Sequence, residues 1–138
     1  MRYVFYRLKE NQPDNVRRRF EGYEVLCAQG DWPPKPENYA FLYHCCEEFP
    51  NYFSAVEILE SIFRGYNGGN IPGYFNRENF KEDYETWWPS GAAHGLSVGD
   101  IVVLSDTYPR EDLQEGAYFC DSIGFRYLGT KLSAEFSI

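Results

Sequence analysis

Long hydrophobic runs are missing from this chain. None approaches the ~20 apolar residues that a membrane-spanning helix needs, and Met1-Arg2-Tyr3 opens directly into a strand-like pattern without the apolar stretch of a signal peptide. A cytoplasmic location is the resulting expectation. Cysteine is sparse and badly placed for a scaffold: Cys45 and Cys46 are adjacent, Cys27 and Cys120 stand alone, and no pair has CxxC spacing. Neither a secreted disulfide framework nor a structural zinc site fits that spacing, so reduced, mostly buried thiols are expected. Positive charge is short as well. From Pro36 to Phe63 there are five acids and no Lys or Arg, and from Gly99 to Asp121 six acids and one base, Arg110; the whole chain carries −8. Nucleic-acid binding rests on cation–phosphate contacts, so such a surface repels DNA and RNA and attracts basic proteins. Internal repeats, low-complexity tracts and a dividing linker are also lacking.

What the chain has in quantity is aromatic surface, 19% of its 138 residues. That excludes disorder and suits one folded domain, which buries roughly two-thirds of the surface its unfolded form exposes. Tyr3 to Leu8 is apolar on both alternating sides, the mark of a well-covered strand. A short helix is expected over Gly22 to Ala28, stopped by Gly30, and Trp32-Pro33-Pro34-Lys35-Pro36 reads as an extended loop. Tyr39 to Cys46 is strand-like. Ser54 and Glu57 have capping-box spacing, opening a helix with Ala55, Ile58, Leu59, Ile62, Phe63 and Tyr66 on one face and Gly65, Gly68 and Gly69 as its stop. A second amphipathic segment follows Asn76, with Phe80, Tyr84 and Trp87 or Trp88 on one side. Strands return at Ile101 to Leu104, Ala117 to Asp121, Phe125 to Leu128 and Ser133 to Ile138. Strands first, helices in the middle and strands last predict an α+β domain, a mainly antiparallel sheet with two or three helices packed on one face. Residues 1–138 are read as one domain whose middle, about 47–89, is a helical, acidic insertion.

Several residue groups resemble chemistry without completing it. His44-Cys45-Cys46 offers zinc-ligand types, but neighbouring strand residues point to opposite faces. Cys120 with His94 is the nearest approach to a nucleophile and base, and a strand cysteine is more often a small core residue. Gly65 to Asn70 follows a helix, whereas a phosphate loop precedes one. Asp100, Asp106, Asp112 and Asp121 lack calcium-loop spacing, and Arg17-Arg18-Arg19 is more often a solvated face. No catalytic residue, metal or cofactor is therefore assigned.

Order matters most between His94 and Leu128. Gly95-Leu96-Ser97-Val98-Gly99-Asp100-Ile101-Val102-Val103-Leu104, followed after an acidic loop by Ala117-Tyr118-Phe119-Cys120-Asp121-Ser122-Ile123-Gly124-Phe125, resembles the YodL-like family. Arg19-Phe20-Glu21-Gly22-Tyr23-Glu24 and the opening strand are similar to that family's N-terminal part. Ile123 stands where an aromatic is usual, and the loop from Asp106 to Gly116 is longer than the common form. The motif has backbone uses: Gly99-Asp100 for a tight turn, Gly124 for a bulge or close approach, Asp121-Ser122 for side-chain bonds that tie a bend. The resemblance implies a small domain found mainly in Firmicutes, often on conjugative or phage-like elements.

Acidity and that resemblance together lead to a non-enzymatic, protein-binding function. The expected partner is a basic host protein such as a nuclease or its nucleic-acid channel, including restriction or CRISPR effectors, engaged by carboxylates that mimic phosphates. The residues expected to bind it are Glu47, Glu48, Glu57, Glu60, Glu82, Asp83, Glu85, Trp88, Asp106, Glu111, Asp112 and Glu115. Two alternatives differ in class: a small enzyme with a Cys/His/Asp cleft, and a regulatory scaffold without DNA mimicry.

Overall fold

The computed structural model describes residues 2–9, 20–46, 49–67, 96–105 and 113–136. Five strands and three helices are distributed along them: β1 (Arg2–Leu8), α1 (Tyr23–Gln29), β2 (Tyr39–Cys46), α2 (Ala55–Tyr66), β3 (Ile101–Ser105), β4 (Gly116–Cys120), β5 (Phe125–Tyr127) and α3 (Thr130–Glu135), with a 3-10 turn, Pro36–Asn38, leading into β2. The sheet order is β2-β1-β3-β4-β5. Each neighbouring pair is antiparallel.

The two-sided apolar pattern of β1 follows from its place between β2 and β3. Tyr3 points to one face of the sheet with Val102, Leu104 and Tyr118, where α2 packs Ile58, Leu59 and Ile62. Val4 points to the other with Ile101, Val103, Ala117 and Phe119, where α1 contributes Leu26, and Phe136 and Leu132 close the layer. Fully burying each such aliphatic or aromatic side chain is worth roughly 1.5–3 kcal/mol. Pairing slips between Phe5 and Tyr6: Phe5 pairs with Tyr43 and Tyr6 with Phe41, so Leu42 is the extra residue of a bulge in β2.

The mainly antiparallel α+β architecture is the one expected. Packing of the helices on one face is not: α2 covers one face, and α1 and α3 cover the other. With β1 and β3 apolar on both sides, a single helical layer would have left one face of the sheet in water.

The α2 start is as its sequence dictates. Ser54 Oγ accepts from the Glu57 amide at 3.2 Å, and Glu57 Oε1 accepts from the Ser54 amide at 3.2 Å. Its end differs from expectation, because Gly65 lies inside the helix and Asn67 caps it, donating from its amide at 3.1 Å and its side chain at 2.7 Å to the Phe63 carbonyl. Gly68, Gly69 and the amphipathic segment after Asn76 lie outside the described residues.

The chain end also departs from expectation. Ser133 to Glu135, expected to open a last strand running to Ile138, belong instead to the helix α3, Thr130–Glu135. Gly129 has φ of 89°, a left-handed value that turns the chain out of β5. Leu132 and Phe136, four apart, then fall on the same side of a helix and enter the core together. Ser133 holds the helix down, its hydroxyl accepting from the Ala117 amide at 2.8 Å and donating to the Gly129 carbonyl.

Candidate functional site

Gly22 precedes α1 in an extended conformation and has no side chain with which to cap it. The cap comes from the far end of the sequence. Asp121, at the turn between β4 and β5, accepts on Oδ1 from the Tyr23 amide at 3.1 Å and from the Ser122 amide at 2.8 Å. A Cβ on residue 22 would stand 2.6 Å from that oxygen, so glycine is required for the carboxylate to reach the helix. The other oxygen of Asp121 lies 3.6 Å from Arg126 Nε, and the Arg126 guanidinium sits 3.6 Å from the centre of the Tyr23 ring. Negative charge at a helix N-terminus is favourable, and a guanidinium over a ring face adds a cation–π contact. Asp121-Ser122-Ile123-Gly124 is closed by a bond from the Asp121 amide to the Gly124 carbonyl at 3.0 Å, with Gly124 at φ 72°.

The other half of the signature makes a second turn next door. Gly99 has φ of 97°, the Asp100 amide donates to Ser97 O at 3.0 Å, and the Ser97 amide donates to Asp100 Oδ2 at 2.9 Å. Gly99 N–H and Cys120 O, then Cys120 N–H and Asp100 O, bond at 2.8 Å each and extend the β3–β4 ladder past its strands. Tyr39 donates to the Gly99 carbonyl at 2.9 Å. Asp100 is buried and meets the buried Arg7 at 3.5 Å. A buried carboxylate needs such partners, since desolvation penalises its charge.

These contacts settle what the signature residues do chemically. The oxygens of Asp121 are committed to a helix end and a guanidinium, and Asp100 to a turn and to Arg7. Cys120 is buried, and burial first, then the nearby Asp100 and Asp121, push its thiol up to about 12. At neutral pH it is a protonated core residue, which a nucleophile must not be. His94, its suggested base, lies outside the described residues, as do the side chains of His44, Cys45 and Cys46. Among the described residues no three His, Cys, Asp or Glu side chains gather as metal ligands.

Beside the Asp121 turn, the last turns of α2 and the β4–β5 turn enclose a groove of about 510 Å³. Phe63, Phe125 and Val98 line it with Glu60, Arg64 and Asn67, and Ser122 and Gly124 form the opposite edge. Phe63 and Phe125 meet edge to face at 6.2 Å.

Of the acids expected to bind a partner, three are described. Glu57 is exposed while it closes the capping box, Glu60 is exposed at the groove, and Glu115 is exposed just before β4, where its carbonyl accepts from Tyr127 at 3.2 Å. Glu47, Glu48, Glu82, Asp83, Glu85, Trp88, Asp106, Glu111 and Asp112 lie outside the described residues. Sequence reasoning missed Arg7, Gly22, Tyr23 and Arg126 as partners of the two aspartates. The available signal was that Gly22-Tyr23 and Asp121-Ser122 belong to the two stretches carrying the family resemblance.

An antiparallel sheet covered on both faces, with two glycine-aspartate turns pinned to α1 and β1, defines a small α+β domain. The chain matches the YodL-like domain family over residues 2–130, and it belongs to that family. No curated protein and no solved structure matches it. No helix among the described residues is long and apolar enough to cross a membrane.

Proposed function

We propose that this YodL-like domain is a non-catalytic protein-binding module of a mobile genetic element, which engages a basic nucleic-acid-handling host protein through its carboxylates. One observation carries the proposal. The two signature aspartates are engaged by internal bonds, whereas the outer side of α2 presents Glu57 and Glu60 to solvent beside exposed Val56 and Phe63. Interfaces are built from apolar anchors within a polar rim, and charge complementarity selects the partner. A chain of net charge −8 is attracted to the Lys- and Arg-lined channels that hold nucleic acid, a class that includes restriction and CRISPR effectors.

The test is competition. A panel of basic nucleases, each with a labelled DNA substrate, is titrated with the domain. Displacement of DNA from at least one nuclease, with loss of cleavage, supports the proposal. Binding that leaves DNA in place would remove phosphate mimicry and favour a scaffold.

A further inference from the structure

We infer that the groove between α2 and the β4–β5 turn is the docking site for a positively charged peptide segment of a partner protein, one that carries an apolar anchor beside a Lys or Arg. The inference rests on the protein-binding function proposed above and gives it a place on the molecule.

At 100° per residue, Val56, Glu60, Phe63 and Asn67 fall on one stripe of α2, turned away from the buried Ile58 and Ile62 and flanked by the buried Leu59. That stripe leads into the groove, which Glu60, Phe63 and Asn67 help to line. At the opposite edge Asp121, Ser122 and Gly124 line the groove, and Phe125 and Val98 complete its apolar floor with Phe63. None of Phe63, Phe125 and Val98 is fully buried. Neither end is loose: Asp121 anchors the turn to α1, and Phe63 packs on Phe125. The volume lies within the range of sites that accept side-chain-sized groups.

Charge selects the occupant. A second copy would bring −8 against −8, and nucleic acid would bring phosphates to the same field. On α2 the exposed acids Glu57 and Glu60 precede Arg64, which sits in the last turn where a cation also favours the helix C-terminus. A partner side chain approaching along the stripe therefore meets carboxylate first and the apolar floor beyond it.

Random-peptide display on the full chain tests this, followed by binding of the enriched peptides to Phe63→Ser, to Glu60→Lys and to a control, Glu24→Ala, on the exposed side of α1. Enriched sequences should pair Lys or Arg with a bulky apolar residue. Their affinity should fall about tenfold or more in Phe63→Ser and in Glu60→Lys, stay unchanged in Glu24→Ala, and weaken with salt. All three positions are exposed, and matching thermal melts establish that each variant is folded. Absence of enrichment, enrichment of acidic peptides, or equal binding by all variants would overturn the inference. Peptides that map to the groove while no basic nuclease is bound would keep this site and discard the nuclease as the partner.

Discussion

Replacing Asp121 with Ala removes the side chain that caps α1, because Gly22 supplies none. Loss of an N-cap typically costs about 0.5–2 kcal/mol. Here the same oxygen also accepts from the Ser122 amide, so two backbone donors lose a charged acceptor. The Arg126 pair adds little, being 3.6 Å long with Arg126 43% exposed, where ion pairs are worth roughly 0–1 kcal/mol. A total of about 2 kcal/mol follows, which is a fall in Tm of several degrees for a domain of this size. Asp121→Asn retains an acceptor oxygen and loses only charge, so it should cost less than half as much. Gly22→Ala places its Cβ against that same oxygen, and the cost of the double variant Gly22→Ala/Asp121→Ala should fall well short of the sum, as for groups sharing one contact. Urea unfolding of the four variants decides the matter. A cost under about 0.3 kcal/mol for Asp121→Ala, or strict additivity with Gly22→Ala, would refute the tertiary cap.

Further expectations concern the core. Arg7→Met removes a buried cation from beside the buried Asp100 and should destabilise by about 3 kcal/mol, measured by urea unfolding. Gly116→Ala forces a Cβ to 2.5 Å from Ser133 Oγ and 2.9 Å from the Tyr127 ring at φ 134°, and should cost at least about 1 kcal/mol with loss of α3 protection in hydrogen exchange. Cys120 has a folded value of about 12 against an ordinary 9.0, so its contribution is whole below pH 9 and is lost as pH rises toward 12. Stability should fall by up to about 1.4 kcal/mol per pH unit above pH 9. In Cys120→Ala that decline should begin nearer pH 10, where Tyr118, itself pushed up to about 12 by burial and by Tyr127, takes over. An identical alkaline profile in the variant would contradict the burial argument.

Local chemistry was the legible part of this fold. The Ser54–Glu57 box, the Gly30 stop with φ of 76° and the Gly99-Asp100 turn each depend on residues within a few positions of one another, and each stands where the sequence puts it. Burial of β1 on both sides was legible too, but that helices cover both faces follows only once the strand order places β1 inside the sheet. Phe136 is of a strand-favouring residue type, but its contacts with Tyr6 and Tyr39, whose rings lie 5.4 and 5.6 Å away, come from elements far off in sequence. Tertiary packing of that kind overrides local propensity. The Asp121–Tyr23 bond spans 98 positions, and no spacing rule pairs a hairpin turn with a distant helix start. At the candidate site, Glu57 and Glu60 were recognisable as outward-facing from helical period alone. The apolar spacing groups Phe63 with Ile58 and Ile62 on one face, yet at 100° per residue it falls beyond the edge of that face and stands 36% accessible, because the face that α2 buries is narrower than the apolar pattern.

If the domain acts by electrostatic binding to a basic protein, its dissociation constant with a basic nuclease is the most direct measure, taken by calorimetry across a range of ionic strength for the native chain and Glu60→Lys. Binding that is tight at low salt, weakens steadily as salt rises, and is weaker in Glu60→Lys is the predicted result. Salt-independent affinity, or no binding at low salt across the panel, would contradict it.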